Sequence, residues 1–273
     1  MFVWEESNAA AINMDCGRRF VRERKIIDGE ESYLGEFPWM ISVVGLNENR
    51  TALAHRCGAV ILNKRWILTA AHCIHPDEGP SDFSIRIKSF KVYPEKESKL
   101  IVQKVVKVIK HKGFDQSYDF NDDIALMKVE NDIEFDAFAS PICLPESSFD
   151  AIGKTGIVAG WGVTKGDTSV LSLSLRKVEL PIISISKCLT WFNDSGYSYV
   201  RVRNTELCAG YENKRKDSCH GDSGGPLFMK INDRYTIVGI VSHGIKCGHA
   251  KMPGIYTKVA SYLTWIESTM RNN

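Results

Sequence analysis

Short runs of β-forming residues, broken by Gly, Pro, Asn or Asp, recur along the whole chain and constrain its fold most strongly. Runs of this length with turn residues between them predict an antiparallel all-β fold. The clearest examples are residues 39–44, 58–62, 83–87, 100–109 and 237–241. Near the end, apolar residues recur every three or four positions and predict one amphipathic C-terminal α-helix, through Ala260, Leu263, Ile266 and Met270.

Length and charge limit the function classes. The chain has 273 residues, of which 44% are hydrophobic, which is enough for a sizeable core divided between two sub-domains. Its formal net charge of +2 gives no reason to expect a nucleic acid or another polyanion as partner. The Lys-rich stretch 104–110 is interpreted as a half-exposed strand. No stretch reaches the apolar length of a membrane span.

A candidate nucleophile lies in the hexapeptide Gly-Asp-Ser-Gly-Gly-Pro at residues 221–226. Glycines on both sides of Ser223 let the main chain approach a substrate and adopt conformations that a side chain would forbid. A single G-x-S-x-G pattern is weak evidence, because a Gly-rich turn with a solvated serine has the same letters. A matching histidine and carboxylate elsewhere would strengthen the case.

The candidate histidine is His72, at the end of the apolar run Trp-Ile-Leu-Thr-Ala-Ala-His-Cys, residues 66–73. A buried strand that ends in small residues and a cysteine would hold its ring in a fixed direction. His55, His75, His111 and His249 lie in polar or charged surroundings that indicate no catalytic role. We predict no metal site at His72 to His75, since no second Cys/His pair follows at ligand spacing.

Two adjacent carboxylates, Asp122 and Asp123, run directly into the apolar stretch 124–129. A carboxylate at the mouth of a buried strand loses hydration unless a donor such as an imidazole N–H replaces it. Adjacent strand residues point to opposite faces, so only one of the two can meet His72. We choose Asp123, which immediately precedes the apolar run.

With these motifs, the chain resembles the chymotrypsin-like, trypsin-type serine peptidases from residue 26 to about residue 271. The resemblance rests on T-A-A-H-C, D-I-A-L-M, G-D-S-G-G-P and P-G-I-Y-T-K-V, and on the chain order His, Asp, Ser. It implies two six-stranded antiparallel β-barrels, of about residues 26–139 and 140–273, with the site in the cleft between them. It also implies a catalytic triad of Ser223, His72 and Asp123, with the oxyanion bound by the N–H groups of Gly221 and Ser223.

The resemblance also assigns substrate-binding residues. Asp217 matches the acidic residue at the base of a pocket for Arg or Lys, with Ser218 beside it, and Gly244 and Gly254 match the pocket walls. Ser242 matches the serine that supports the buried aspartate. His243 stands where the family usually has a tryptophan, which leaves the preference for residues upstream of the cut open. Leu100 argues against the family's calcium loop and Pro253 against its sodium site, so no cofactor is expected.

Eight cysteines without a C-x-x-C pair favour disulfides and an oxidising compartment, although eight cysteines allow 105 connectivities. The resemblance implies the pairs Cys16–Cys143, Cys57–Cys73, Cys188–Cys208 and Cys219–Cys247. Two sequons, at Asn49 and Asn193, agree with a secreted glycoprotein. The first residues nevertheless show no signal peptide.

The resemblance further implies a zymogen. Residues 1–25 would form a propeptide, and an activating protease would cut between Lys25 and Ile26, so that the new Ile26 amine pairs with Asp222. The predicted function is therefore a secreted trypsin-like endopeptidase, with protein substrates and protein inhibitors as partners. The alternative is a non-catalytic binding or signalling module on the same fold. Such relatives typically lack one triad residue, whereas this chain keeps all three.

Overall fold

The computed structural model describes residues 16–21, 31–46, 53–93, 97–115, 120–164 and 170–273. The strands of these residues form two closed antiparallel barrels of six strands each, and a helix ends the chain. This confirms the predicted fold class. None of the helices in the described residues is long and apolar enough to cross a membrane.

The first barrel has the strand order β1-β2-β3-β6-β5-β4. Its strands are β1 (Met40–Leu46), β2 (Leu53–Ile61), β3 (Trp66–Thr69), β4 (Phe83–Ile87), β5 (Ile101–Lys110) and β6 (Ala125–Val129). Strand β4 buries Phe83, Ile85 and Ile87 on one face and leaves the alternate residues partly exposed. In β5 only Val105 is fully buried, so the Lys-rich stretch is the half-exposed strand that we predicted.

The second barrel has the order β10-β11-β12-β9-β8-β7. Its strands are β7 (Thr155–Gly160), β8 (Arg176–Ile183), β9 (Glu206–Ala209), β10 (Pro226–Ile231), β11 (Arg234–His243) and β12 (Gly254–Lys258). The C-terminal helix α2 covers Leu263–Arg271, and a 3₁₀ turn at Val259–Tyr262 precedes it. Ala260, which we expected in the helix, therefore belongs to the 3₁₀ turn.

A second helix, α1 (Ile185–Asp194), was not predicted. Ser184 caps it, because its hydroxyl accepts a hydrogen bond from the Lys187 N–H at 3.2 Å. The helix buries Cys188, Trp191 and Phe192, and Cys188 and Phe192 pack in one cluster with Cys208 of β9 and Ile255 of β12. The serine cap is a signal in the sequence that could have located it.

Aromatic side chains join the two barrels. Trp39 of the first barrel meets Phe228 of the second edge to face, with ring centroids 5.4 Å apart, and Tyr235 packs against both. The backbones also touch, since the Gly58 N–H donates to the Ser223 carbonyl at 2.8 Å. The barrels are therefore in direct contact beside the predicted nucleophile.

The segment 16–21 is fixed to the second barrel. Its Cys16 is bonded to Cys143, and the Gly17 carbonyl accepts a hydrogen bond from the Tyr235 N–H at 2.9 Å. The Arg19 guanidinium lies 4.1 Å from the centre of the Tyr235 ring and 3.7 Å from the buried Glu36 carboxylate. Lys177 also pairs with Glu36. The segment is thus attached by packing and charge as well as by its disulfide.

Candidate active site

His72 sits in a one-turn 3₁₀ helix, Ala71–Cys73, directly after β3. A disulfide between Cys73 and Cys57 ties this turn to β2. The His72 backbone N–H donates to Asp123 Oδ1 at 2.8 Å, and its ring Nδ1 lies 2.7 Å from Asp123 Oδ2. Both the main chain and the ring of His72 are therefore held by one carboxylate.

Asp123 is 1% exposed and lies just before β6. Besides its two contacts with His72, its Oδ2 accepts a hydrogen bond from the Ser242 hydroxyl at 2.6 Å. The Thr257 hydroxyl donates to the Asp123 carbonyl at 2.7 Å. Donors thus replace the lost hydration of this buried carboxylate. The structure brings Asp123 to His72, while the neighbouring Asp122 accepts a hydrogen bond from the Tyr262 hydroxyl at 2.6 Å.

Ser223 lies just before β10 of the second barrel, and its backbone contacts the first barrel. Its carbonyl bonds to Gly58, next to the disulfide of Cys57 and Cys73. A Cβ atom at Gly224 would lie only 2.2 Å from Thr69 Oγ1 and 3.1 Å from Cys73 Sγ. The segment around Ser223 therefore packs directly against the end of β3 and the His72 turn.

Gly221 has a φ of +94°, a backbone conformation that favours glycine. Its carbonyl is held by His55, whose Nε2 lies 2.9 Å away, while His55 Nδ1 lies 2.8 Å from Ser42 Oγ. Within the described part of the chain, the N–H groups of Gly221 and Ser223 donate to no backbone carbonyl. Two donors beside Ser223 are thus left for a ligand oxygen.

His55, for which the sequence indicated polar or charged surroundings and no catalytic role, is buried in the structure. It is 9% exposed and packs on Trp161, with ring centroids 5.4 Å apart. Burial is the largest influence on its pKa and lowers it. Because a carbonyl only accepts, a neutral His55 carries its hydrogen on Nε2, donates to Gly221 and accepts from Ser42.

The Asp222 carboxylate accepts hydrogen bonds from the N–H groups of Gly162 at 2.8 Å and Cys219 at 2.9 Å. Burial raises its pKa to about 6, against the opposite effect of these two bonds. A Cβ atom at Gly162 would lie 2.3 Å from Asp222 Oδ2, so only glycine permits this approach. Asp222 lines a cavity together with Gly160, Arg176 and Lys177.

Asp217 lines the same cavity. Its Oδ1 accepts from the Ser218 N–H at 2.8 Å and its Oδ2 from the Gly248 N–H at 3.5 Å. Burial raises the pKa of Asp217 to about 8, although both bonds lower it. The Ser218 hydroxyl is paired with the buried Tyr256 hydroxyl at 2.8 Å. A cation that entered this site would favour the ionised carboxylate.

The two predicted wall glycines lie together. The Cβ that Gly244 lacks would be 3.9 Å from the Gly254 Cα atom, and one at Gly254 would be 3.1 Å from Asp217 Oδ1. Side chains at Gly254 would therefore occupy the space above the Asp217 carboxylate. His243 ends β11 next to Gly244 and is half-buried.

Several predicted residues fall elsewhere. Lys25, Ile26 and Asn49 lie outside the described residues, whereas Asn193 is exposed near the end of α1.

The structure contains the four disulfides Cys16–Cys143, Cys57–Cys73, Cys188–Cys208 and Cys219–Cys247, the pairs that the resemblance implies. Ligand atoms of Cys57, His72 and Cys73 come together, but the two sulfurs are bonded to each other and cannot act as thiolates.

Known proteins are similar in sequence to this chain over most of its length. The family model described as Trypsin matches residues 26–266. Serine protease filzig of Drosophila melanogaster is 37% identical over 257 residues, which cover 93% of this chain and 15% of that protein. Serine proteinase stubble of the same species is 36% identical over 268 residues, 96% of this chain and 33% of its own length.

A further relative is phenoloxidase-activating factor 1 of Holotrichia diomphalia. It is 34% identical over 280 aligned residues, which cover 94% of this chain and 73% of that protein. This chain thus spans a third or less of the length of filzig and stubble. With the two six-stranded barrels and the family match over most of its residues, the chain belongs to the trypsin family of serine proteases.

Proposed function

We propose that this protein is a secreted serine endopeptidase that cuts peptide bonds after Arg or Lys. One observation carries the proposal: the buried Asp123 carboxylate holds both the backbone N–H and the ring of His72, on the turn against which the segment of Ser223 and Gly224 packs. A purely structural ion pair would not need this geometry next to a serine between glycines. The four disulfides support an oxidising, extracellular location.

The hydrogen bonds determine how the triad would work. An ionised carboxylate only accepts, so His72 carries its hydrogen on Nδ1 and offers the lone pair of Nε2 as a base. Ser223 Oγ attacks the substrate carbonyl carbon while its proton passes to Nε2. His72 then gives that proton to the leaving amine, and water hydrolyses the acyl-enzyme in the same way.

The developing negative charge on the substrate oxygen needs donors that are already in place. The N–H groups of Gly221 and Ser223 supply them, and His55 holds the carbonyl of the peptide that follows Gly221. The loss of one such donor costs roughly 3 kcal/mol of transition-state stabilisation. His55 is therefore a positioning residue in this proposal.

Preference for Arg or Lys follows from Asp217. An ionised carboxylate at the base of a pocket favours a long cationic side chain, and the absent side chains at Gly244 and Gly254 leave room for it. A neutral aromatic residue brings no cation to lower the raised pKa of Asp217, so it gains no ion pair there. Ser242 and His243 line the approach from upstream of the cut.

Activation by cleavage completes the proposal. Cutting between Lys25 and Ile26 would create an ammonium group that could pair with the buried Asp222 carboxylate. Without such a partner, burial disfavours the ionised carboxylate and raises its pKa to about 6. The disulfide from Cys16 to Cys143 would keep the propeptide attached. Since one relative is named as a phenoloxidase-activating factor, we propose that this chain also acts on protein substrates in a protease cascade.

The nucleophile is tested with a fluorophosphonate probe on the cleaved protein. Wild type and the control Ser186→Ala, an exposed serine on α1, should be labelled once per chain, and Ser223→Ala should not be labelled. Labelling of Ser223→Ala, or no labelling of cleaved wild type at any pH, would contradict the assignment. The second result would favour a non-catalytic binding module.

Specificity is tested with fluorogenic peptides that differ only at the residue before the cut. Wild type should cleave after Arg and Lys, and Asp217→Ser should lose this preference by about 10³-fold or more in kcat/KM, about 4 kcal/mol. Equal cleavage by wild type after Phe and Arg would sink the assignment.

Activation is tested with Lys25→Gln, which should stay inactive when trypsin-like activators are added. Active wild type should start at Ile26 and keep its propeptide on non-reducing gels. Full turnover by uncleaved chain would overturn the zymogen proposal.

A further inference from the structure

We propose that His243 is a positioning residue coupled to the pair of His72 and Asp123. Protonation of one of the two imidazoles disfavours protonation of the other. This inference rests on the proposed function, because it requires His72 to take a proton during the reaction. It assigns to His243 an effect on the pH response of catalysis, separate from any contact with substrate.

A chain of hydrogen bonds connects the two rings. The Ser242 Oγ atom lies 2.6 Å from Asp123 Oδ2 and 3.1 Å from His243 Nδ1. Because an ionised carboxylate only accepts, the Ser242 O–H must donate to Asp123. The Ser242 oxygen can then only accept from His243, whose Nδ1 must carry a hydrogen. Asp123 is thus held from one side by His72 and from the other by Ser242 and His243.

An aromatic ring provides a second connection. Phe120 stacks on His243, with centroids 5.1 Å apart and ring planes at 21°. The same Phe120 ring meets His72 edge to face, with centroids 5.5 Å apart. One apolar ring therefore contacts both imidazoles.

The groups around His243 determine how readily its imidazole can be protonated. Asp123 is linked to His243 through the Ser242 hydroxyl, and His72 is linked to His243 through the Phe120 ring. The neighbouring Asp122 pairs with His111, with 3.6 Å between Asp122 Oδ2 and His111 Nδ1. Opposite His243 on β12 lies the apolar Ile255. Asp123 is therefore an anion to which both His72 and His243 are linked.

Competition follows from this arrangement. Asp123 stabilises a charge on either ring, but a charge on one ring opposes a charge on the other. Each ring lies within 5.5 Å of the Phe120 ring, centroid to centroid, so the two charges would repel each other across a single apolar side chain. An imidazole has an ordinary pKa near 6.5, so the competition falls within mildly acidic pH.

The effect on rate has a definite sign. Protonated His243 hinders the imidazolium that His72 must become, so wild type should lose activity earlier on acidification than a variant without this ring. The His243→Asn variant should show a rate at pH 6, relative to its rate at pH 8.5, that is about two- to threefold higher than wild type. Asparagine keeps a donor near the position of Nδ1 and carries no charge.

The test measures the rate of fluorophosphonate inactivation against pH for cleaved wild type, His243→Asn and the control His249→Asn. His249 is exposed, so its variant should follow the wild-type curve. A higher relative rate at pH 6 for His243→Asn alone supports the inference. Coincident curves for all three proteins, or a lower relative rate for His243→Asn, overturn it.

A second measurement does not depend on activity or on the variant's folding. NMR of histidine-labelled wild type should show one imidazole that titrates in two steps more than about one pH unit apart. Single-step titration of both rings overturns the coupling. If no protein reacts with the probe while two-step titration is seen, the proposed function fails and the coupling stands.

Discussion

Replacement of Asp222 by Asn in the uncleaved chain should change how stability depends on pH. The folded carboxyl has a pKa raised from 3.8 to about 6, chiefly by burial. It therefore binds its proton more tightly in the folded than in the unfolded state. The contribution of Asp222 to stability is greatest below about pH 4, falls as pH rises to about 6, and is constant above that.

The magnitude follows from the size of the shift. A change from 3.8 to about 6 corresponds to about 3 kcal/mol at 1.36 kcal/mol per unit, and we expect about 2–3 kcal/mol because solvent reaches the cavity beside Asp222. Asparagine does not ionise, so the Asp222→Asn variant does not lose stability in this way as pH rises. Its side-chain NH₂ group must face the N–H of either Gly162 or Cys219, and this clash of two donors costs about 1–3 kcal/mol at every pH.

The assay is guanidinium unfolding from pH 4 to 8, with disulfides intact, in a Lys25→Gln background that prevents cleavage. The free energy of unfolding of Asp222→Asn, relative to its parent, should rise by about 2–3 kcal/mol from pH 4 to 6.5 and then stay level. In the control Asp217→Asn the rise should continue to about pH 8, because the pKa of Asp217 is about 8. Parallel curves for Asp222→Asn and its parent would refute the reasoning.

Two further predictions concern packing. Gly224 and Gly153 both have positive φ values, but a Cβ at Gly224 would collide with Thr69, whereas at Gly153 nothing lies within 4 Å. Gly224→Ala should thus lose more than about 3 kcal/mol of stability and Gly153→Ala about 1 kcal/mol, and similar losses in denaturant unfolding would contradict this. Arg19→Ala should cost about 1–3 kcal/mol by leaving the buried Glu36 with one cation fewer, and a double-mutant cycle with Glu36→Gln should recover part of it. Additive losses would show that the two residues are not coupled.

Local pattern located the strands of the first barrel and β11, because a strand with a buried face needs apolar residues in its own sequence. The run 83–87 coincides with β4, whereas the runs 39–44 and 237–241 stop two residues before β1 and β11 end. The choice of Asp123 over Asp122 also followed from local reasoning, since the residue next to the buried run points inward. The helix α1 was missed although its apolar residues Ile185, Cys188, Leu189 and Phe192 have helical spacing and Ser184 caps its start.

The residues missed by sequence reasoning are those whose partners lie far along the chain. His55 acts on a carbonyl 166 residues away, and Arg19 packs on Tyr235 in the second barrel. Nothing near His55 in the sequence distinguishes it from a solvated histidine. Burial of this kind arises only when the barrels meet, so a local pattern cannot reveal it.

The glycines after Ser223 show that the site depends on contact between the two barrels. From the sequence, these glycines were predicted to let the main chain approach a substrate. The structure adds a stronger requirement, because the first barrel occupies the space where a Gly224 side chain would lie, 2.5 Å from the Gly58 carbonyl. The Gly224 N–H donates to the Val241 carbonyl on the other side at 2.8 Å. A side chain at Gly224 would push the first barrel, which carries His72, away from Ser223. The geometry of the site therefore depends on the same contacts that pack the two barrels together.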